Sequence, residues 1–488
     1  MKIVLSPYFK LFHALTIFLF CQSLHGQQII WANKNNIDKR TDFTKVIGQN
    51  KFGLYVLKHK NSSFRRYFIL EHFDKKMNLL KSKTFKIPNA ELEKIIVHKK
   101  GIVFFTKEFG KGYSYKLTMQ GIDSGFNEQP AKTIVSSQSF NDETVGFRIE
   151  YNPDKSRFIV WYLLESEGKT IVKYHLLDHQ QVIKEGQSVI DHALSELYLG
   201  DAIVDDTGNL YMIYSHSEKF KSKEASDFRH YMYCLDIFSG ESKSKLINNP
   251  ETFVTGYKLS YNPRHRTVSG FGLFGTRDED DNKGYFLLQI DCKTFEVINS
   301  VFNDIDRKIV ANIIGLKFEQ KGENLSKFKI KKLVPKADGG LLVITERSFI
   351  TTQSDIFYVN NIPQSSYAKI FNNDEVLILS LDSTGKAEWT DVVVKNQSSI
   401  NDGGFYNGII IMVNDDSFSI LYNDRLSANA DIIQVTYNHK GAHTKKILLN
   451  NEQYYALVIP SEYSQVSNNS IVLPINQNRD FTYIKLLY

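Results

Sequence analysis

The chain is poor in proline and cysteine, and it has few long apolar runs. Of its 488 residues, 10 are proline and 3 are cysteine. So little proline argues against disordered linkers. Only Cys234 and Cys292 follow residue 26, and we expect both to be buried thiols rather than a disulfide bridge, although exported proteins do form bridges. No segment after residue 26 is apolar enough to cross a membrane.

The first 26 residues have the layout of a secretory signal peptide. Lys2 and Lys10 supply positive charge, an apolar run follows from Leu11 to Cys21, and the small residue Gly26 precedes Gln27. The apolar run is shorter than the roughly 17–25 residues of a membrane helix, and a retained anchor is the alternative. Cleavage before Gln27 would leave residues 27–488 as one domain. We therefore expect an exported protein that is periplasmic, on the outer surface or extracellular.

Strong net charge and catalytic sequence motifs are also missing. The formal charge of +6 falls to +4 without Lys2 and Lys10, too little over this length to indicate nucleic-acid binding. There is no G-x-S-x-G nucleophile elbow, no phosphate-binding P-loop and no G-x-G-x-x-G pattern after a strand. We therefore predict no catalytic, cofactor-binding or metal-binding residues, and no cofactor.

What the chain does contain is a repeated polar turn followed by a strand. Asn, Asp, Gly, Lys or Ser residues form each turn, and a short run of apolar, β-branched or aromatic residues follows it. Turns with this chemistry join antiparallel neighbours. The turn centres, 49 to 77 residues apart, are Asn50, Lys99, Asp154, Thr207, Arg264, Asp338, Asp415 and Asn468.

A second turn follows most of these strands, and a short side chain with a carbonyl oxygen occupies the same place in it. Such a side chain accepts hydrogen bonds from the backbone two residues on and closes the turn. These residues are Asp74, Asp178, Asp236, Asp291, Asp382 and Asn438. Two tight turns per unit describe a four-stranded antiparallel meander, and repeats of this length predict an all-β fold, a β-propeller. A helical solenoid is excluded, because almost no window keeps apolar residues at helical spacing.

The two ends of the mature chain predict how the ring closes. The last unit has only three strands, whereas "QQIIWAN" at the N-terminus is a short strand without a unit of its own. Pairing residues 27–31 with the last blade would complete it and remove exposed strand edges. This arrangement favours eight blades, with seven as the alternative.

Long insertions are expected at one face of this propeller. Turns between strands one and two and between strands three and four share one face, and the remaining connections share the other. The short repeated turns belong to the first set, and the long irregular segments belong to the second. Binding residues tend to lie in such variable loops. The long segments are 216–230, 275–284, 303–325, 349–373 and 395–405.

One acidic loop has part of a calcium-binding pattern. Asp278, Asp280 and Asn282 stand at alternate positions, but Lys283 and Gln289 replace the glycine and the acid that an EF-hand needs. A looser oxygen-ligand site and a solvated acidic loop remain the alternatives.

Charged residues at the ends of two strands are the other candidates. Glu346 and Arg347 end "LLVITER", whereas Asn423, Asp424 and Arg425 end "SILYNDR" one blade later. They could bind a sugar or carboxylate ligand, since arginine suits bidentate recognition. They could equally pair with one another and fix the loops.

Two histidines that flank one turn are candidate zinc ligands. His175 and His179 flank a turn, and no cysteine or third ligand stands near them in the sequence. This spacing does not favour a zinc site.

The region 326–450 resembles secreted β-propeller-like proteins of unknown function from Bacteroidota. The resemblance rests on "ADGGLLVITE", "DEVLILSLDSTGKAEWTDVVVKNQSS" and "DSFSILYND". It implies an envelope or extracellular setting and no particular activity.

These features together favour an exported, non-catalytic propeller that binds an unknown protein or glycan of the cell envelope through its long loops. The alternative is a hydrolase or lyase acting on polysaccharide, with acids drawn from Asp278, Asp280, Glu346 and Asp424.

Overall fold

The structure is a computed structural model that describes several separate ranges of the chain. The described residues are 27–32, 43–59, 67–87, 89–109, 115–137, 145–217, 228–247, 253–275, 282–306, 327–359, 362–427, 430–477 and 480–488. They form eight antiparallel sheets with four strands along the main path of each.

The first half of the chain forms blades I to IV, after a separate strand β1 (Gln28–Trp31). Blade I contains β2 (Phe43–Asn50), β3 (Gly53–His59), β4 (Tyr67–Phe73) and β5 (Leu79–Lys86). Blade II contains β6 (Ala90–His98), β7 (Gly101–Phe109), β8 (Tyr115–Ile122) and β9 (Lys132–Ser137). Blade III contains β10 (Val145–Tyr151), β11 (Phe158–Ser166), β12 (Lys169–Leu177) and β13 (Val182–Ile190). Blade IV contains β14 (Leu197–Val204), β15 (Leu210–Ser217), β16 (Phe228–Leu235) and β17 (Ser242–Leu246).

The second half forms blades V to VIII. Blade V contains β18 (Phe253–Asn262), β19 (Thr267–Gly275), β20 (Asn282–Asp291) and β21 (Val297–Asp304). Blade VI contains β22 (Phe328–Pro335), β23 (Leu341–Val359), β24 (Ile362–Leu381) and β25 (Ala387–Val393), with β26 (Gln397–Ile400) paired to β24. Blade VII contains β27 (Ile410–Val413), β28 (Ser417–Asn423), β29 (Ile432–Asn438) and β30 (His443–Leu449). Blade VIII contains β31 (Ala456–Val458), β32 (Ser464–Ser467), β33 (Ser470–Gln477) and β34 (Asp480–Leu487). Short helical turns occupy Leu194–Glu196, Asn451–Tyr454 and Pro460–Glu462.

The first strands of consecutive blades lie beside one another around a common axis. Strand β2 contacts β6, β10 contacts β14, and β18 contacts both β14 and β22. Strand β2 also contacts β32 and β33 of blade VIII, so the series returns to its start. Because the first strand is an edge strand of its sheet, these contacts place it innermost in each blade. The fold is therefore an eight-bladed β-propeller, and the expectation of eight blades rather than seven is confirmed.

Strand β1 closes the ring, as the sequence predicted. It pairs antiparallel with β34, with Ile29 opposite Leu486 and Trp31 opposite Ile484. Blade VIII thus takes its outermost strand from the N-terminal end and its inner strands from the C-terminal end. This exchange covers the edge of β34 that would otherwise be exposed.

The hydrophobic core is divided among the junctions between blades. Each of the eight clusters of buried side chains joins two consecutive blades, including one between blades VIII and I. In β15, Leu210, Met212 and Tyr214 face blade III, whereas Tyr211 and Ile213 face blade V. Because successive side chains of a strand point to opposite faces, a strand buried on both faces is apolar at every position. This geometry explains the continuous apolar runs after each turn.

The tight turns lie at one end of the propeller, which we call the short-turn face. Contacts between first turns of neighbouring blades join them there, including Asn50 Nδ2 to His98 O at 3.0 Å and Asn262 Nδ2 to Lys336 O at 3.1 Å. The opposite end, with the connections between second and third strands and between blades, is the long-loop face. Seven of the eight first turns predicted from the sequence lie between the first two strands of a blade, and the eighth, at Asn468, joins β32 to β33 in blade VIII.

The second set of turns is also confirmed, and the structure adds one member. Asp382 Oδ1 accepts hydrogen bonds from the backbone N–H groups of Thr384 and Lys386, at 2.8 and 3.0 Å. The other predicted residues make equivalent bonds, namely Asp74, Asp178, Asp236, Asp291 and Asn438. Asp123 of blade II does the same toward Gly125 and Asn127 and was missed, although "GIDSGFNE" has the same chemistry.

Candidate functional site

The described part of the long-loop face carries a long β-hairpin. The sequence predicted that β23 ends at Glu346 and Arg347 and that 349–373 is an irregular loop, and this prediction is wrong. Strands β23 and β24 continue as a regular ladder up to the pair Val359–Ile362, with a shift in register between Glu346 and Ser348. Arg347 lies in a β-bulge at this shift. The polar Glu-Arg pair therefore interrupts the apolar pattern of β23 without ending the strand.

Several large apolar side chains are exposed on this part of blade VI. Ile350 and Tyr367 on the hairpin are 58% and 69% exposed. Ile400 of β26, which pairs with Ile370, is 63% exposed, and Val394 after β25 is 69% exposed. Because side chains alternate between the faces of a strand and paired residues share a face, Ile350 and Tyr367 lie on one face of the hairpin and Ile400 lies on the other.

A buried ionic network lies where the hairpin leaves the blade. The carboxylate of Glu346 is fully buried and lies 2.6 Å from Lys331 Nζ and 2.8 Å from Lys395 Nζ. Asn373 Nδ2 also donates to it at 2.7 Å. Burial alone would raise the pKa of Glu346, but Lys395 and Lys331 outweigh burial and keep that pKa below its usual value. Glu346 is therefore a stable carboxylate anion.

The network continues into the neighbouring blades. Lys395 Nζ donates to Asn373 O at 2.7 Å and to Gln397 Oε1 at 3.0 Å, while burial lowers the pKa of Lys395 despite Glu346. Gln397 Nε2 donates to the backbone oxygen of Asn423 at 2.7 Å.

Asn423 in turn forms hydrogen bonds with blade VIII. Its Nδ2 donates to Val458 O at 3.0 Å, and its Oδ1 accepts from Val458 N at 3.1 Å. Glu346 and Asn423 therefore fix the loops rather than face a ligand, in agreement with the second interpretation of these residues.

The other strand-end residues lie nearer the surface. Arg347 is 3.5 Å from Glu375 Oε2 and stacks over Phe349. Asp424 and Arg425 form a loose pair at 3.7 Å, and Arg425 is highly exposed. The structure thus separates the candidates into two buried residues, Glu346 and Asn423, and a group nearer the surface, Arg347, Asp424 and Arg425.

The acidic loop that has part of a calcium-binding pattern is only partly described. Asp278 and Asp280 lie outside the described residues, as do most of segments 216–230, 275–284 and 303–325. Asn282 belongs to β20 and is buried, and Gln289 donates from the same strand to Gly339 O at 3.0 Å. Within the described ranges, no group of three or more His, Cys, Asp or Glu side chains is placed to bind a metal.

The histidines and cysteines have structural neighbours. His175 lies 3.5 Å from Glu185 on the adjacent strand, whereas the ring of His179 lies 5.3 Å from that of His98 in blade II. Cys234 and Cys292 are free, buried thiols in the cluster between blades IV and V, as expected. Burial raises the pKa of each thiol to about 12, so both stay protonated and unreactive.

One polar pair was not anticipated from the sequence. Ser215 Oγ and His230 Nδ1 are 2.7 Å apart, on directly paired positions of β15 and β16. Both residues are buried, and burial lowers the pKa of His230 to about 4. They stabilise the sheet as a cross-strand pair, and only the strand register, which sequence reasoning did not specify, brings them together.

Residues 1–26 lie outside the described residues, so the signal peptide stays a prediction. No helix among the residues that the structure describes has both the length and the apolar character needed to cross a bilayer.

Comparisons with known proteins found only distant similarity to solved structures. No protein-family model and no curated protein matches the chain. Among solved structures, prolyl oligopeptidase B from Galerina marginata is 11% identical with a TM-score of 0.41, covering 90% of this chain and 56% of that one. The chain thus spans little more than half of that enzyme's length.

Two further similar structures are more nearly the size of this chain. The WD40 domain of SCAP from fission yeast is 9% identical with a TM-score of 0.39, covering 95% of this chain and 98% of that one. An oligogalacturonate lyase in complex with manganese is 11% identical with a TM-score of 0.34, covering 82% and 96%. Identities and TM-scores this low carry no argument about activity.

Proposed function

We propose that this protein is an exported, non-catalytic scaffold that binds a partner protein through the β23–β24 hairpin on the long-loop face. The observation that carries the proposal is the hairpin itself, whose strands of 19 and 20 residues extend well beyond the strands that pair with them in blade VI. An extension of this length adds little to the blade core, and it presents backbone and apolar side chains outward.

The edge of β23 suits the capture of an extended segment. Strand β22 pairs with β23 only as far as Arg347. From Ser348 to Val359, β24 is the one described strand that pairs with β23. An unpaired strand edge offers backbone donors and acceptors to another chain, and neighbouring apolar side chains add specificity. Ile350 and Tyr367 are placed to supply those contacts.

The buried network supports binding rather than hydrolysis at this point of the face. A glycosidase needs one protonated carboxylic acid to donate to the leaving group. Glu346 is ionised between two lysines and is fully buried, so it does not fill that role. Its position instead anchors the base of the hairpin to blades VII and VIII.

The proposal is tested by shortening the hairpin without disturbing its base. Gln353 and Ala368 are directly paired, so residues 354–367 can be replaced by an Asn-Gly turn while β26 keeps its partners on β24. The intact protein and the shortened variant are each used to capture proteins from envelope extract of the source organism, and the captured proteins are identified by mass spectrometry. We expect a specific partner with the intact chain and at least a tenfold loss with the variant.

Tyr367→Ser in the full-length hairpin is the finer variant, and Tyr198→Ser, an exposed tyrosine of blade IV, is its matched control. Loss of the partner with Tyr367→Ser but not with Tyr198→Ser would place the contact on the hairpin. Equal capture by the intact and shortened proteins would refute the proposal. Turnover of polysaccharide by the purified protein would favour the enzymatic alternative.

A further inference from the structure

A positively charged hollow lies on the short-turn face, away from the hairpin. It consists of two overlapping cavities of about 290 and 470 Å³ between turns of blades I, II and III. The residues common to both are His98, Lys99, Lys100, Asp154 and Lys155.

Cations outnumber anions in this hollow. Five cations and only two carboxylates line it, which leaves an excess of three formal positive charges. The cations are Lys51, Lys99, Lys100, Lys155 and Arg157. Like charges brought together in a concave site repel one another unless an anion joins them. The excess therefore points to an anionic ligand.

Both carboxylates already have partners. Asp178 Oδ1 accepts from the backbone N–H groups of Gln180 and Gln181, at 2.7 and 2.8 Å, and closes its turn. Asp154 lies 3.3 Å from Lys99 Nζ. Among the described residues, Lys100, Lys155 and Arg157 form no ion pair with an acid. Three cations are thus available to a ligand.

The frame of the hollow is rigid. Buried Asn152 accepts from the backbone N–H groups of Ser156 and Arg157, at 3.0 Å each, which fixes the turn that carries Lys155. Lys155 itself has the left-handed backbone conformation, with φ of 56°. Because the turn is constrained before binding, little conformational entropy is lost when a ligand is bound.

Two histidines add neutral donors. The backbone N–H of Lys100 donates to His98 Nδ1 at 3.3 Å, so the proton of the neutral ring is on Nε2. Burial, together with His179 and Lys100, lowers the pKa of His98 to about 4. Burial and Lys100 also lower the pKa of His179. Both rings are therefore uncharged near neutral pH and are able to donate hydrogen bonds.

We propose that this hollow binds a tetrahedral oxyanion, phosphate or sulfate, either free or as the ester of a small molecule. Lysine ammonium groups and an arginine bind such anions through charge-assisted hydrogen bonds, and the neutral histidines complete the set of donors. The volume admits a sugar-sized ester as well as the free ion. The site lies at the other end of the propeller from the proposed protein-binding hairpin, so neither proposal depends on the other.

The test measures binding of inorganic phosphate, inorganic sulfate and a hexose 6-phosphate to the full mature chain by calorimetry at constant ionic strength, with the unphosphorylated hexose as the neutral probe. The variant is Lys100→Gln combined with Lys155→Asn, because asparagine tolerates the left-handed backbone. The matched control is Lys293→Gln with Lys440→Gln, which removes two exposed lysines from third-to-fourth turns of the same face.

We expect saturable binding of at least one anion, about tenfold weaker or more in the cavity variant and unchanged within about twofold in the control. Tighter binding of the hexose phosphate than of inorganic phosphate would assign an ester, and equal binding would assign the free ion. Lys100→Arg with Lys155→Arg is expected to retain binding because it keeps both charges, and an unchanged urea-unfolding midpoint of the first variant would exclude misfolding as the cause of its loss. An absence of saturable binding, or equal weakening in the control, would overturn the proposal.

Discussion

The two faces of this propeller depart from the repeat in different ways. On the long-loop face, blade VI differs from the other blades in the length of its middle strands. These strands have 19 and 20 residues and carry exposed apolar side chains. On the short-turn face the turns stay short, and blades I to III differ in their side chains, which gather lysines around a hollow. Lengthening a strand creates a projecting surface, whereas substitution within a turn leaves the backbone unchanged and alters the charge. One scaffold can therefore carry two independent sites.

The faces also differ in how their polar groups are supported. The hairpin rests on a buried carboxylate between two lysines, whereas the turns between third and fourth strands use partly exposed side chains, such as Asp382, that accept backbone hydrogen bonds. Removing one partner of a buried ion pair leaves an uncompensated charge, whereas water replaces much of an exposed hydrogen bond. Stability should therefore be far more sensitive to change at the base of the hairpin than in the turns.

The largest expected effect comes from Glu346→Ala. This change leaves Lys395 buried beside Lys331 without their shared anion, and we expect the free energy of unfolding to fall by about 3–5 kcal/mol. Urea unfolding monitored by circular dichroism measures it. Asp191→Ala, which breaks an exposed pair with Lys169, is the matched control and should leave the midpoint unchanged. Similar results for the two variants would contradict the contrast between the buried network and an exposed ion pair.

An intermediate effect is expected from pH. The pKa of Glu346 in the folded protein is below its ordinary value of 4.5, so its contribution to stability is present above about pH 4.5 and is lost as the pH falls through the folded value. Glu346→Gln removes this contribution at neutral pH. The stability difference between wild type and Glu346→Gln should therefore shrink between pH 7 and pH 3.5 in parallel urea titrations. A difference that stays constant would show that the charge of Glu346 is not what stabilises the hairpin base.

The smallest effect is expected in the turns. Asp382→Ala removes the acceptor for the N–H groups of Thr384 and Lys386, and we expect a loss of about 0.5–1 kcal/mol because solvent reaches this turn. Asp382→Asn keeps an acceptor, as Asn438 does at the corresponding place in blade VII, and should be close to wild type. A loss as large as that of Glu346→Ala would mean that the turns, and not the buried network, limit stability.

The sequence by itself predicted the blades and their closure, and it favoured the observed number of blades over the alternative of seven. Turn chemistry and the continuous apolar runs are local signals, because hydrogen bonding within a turn and the alternation of a strand depend on neighbouring residues. The same reasoning failed at Glu346, where buried Lys395 and partly exposed Lys331 pair with the carboxylate and allow the strand to continue past a polar pair.

Only the tertiary structure decided which side chains meet. Lys331 reaches Glu346 from β22 and Lys395 from the segment between β25 and β26, and His98 of blade II faces His179 of blade III, 81 positions further along the chain. The hollow likewise combines turns from three blades. Such meetings depend on the radius of the ring and the register of its sheets, and the pattern of residues within a single repeat carries no information about either.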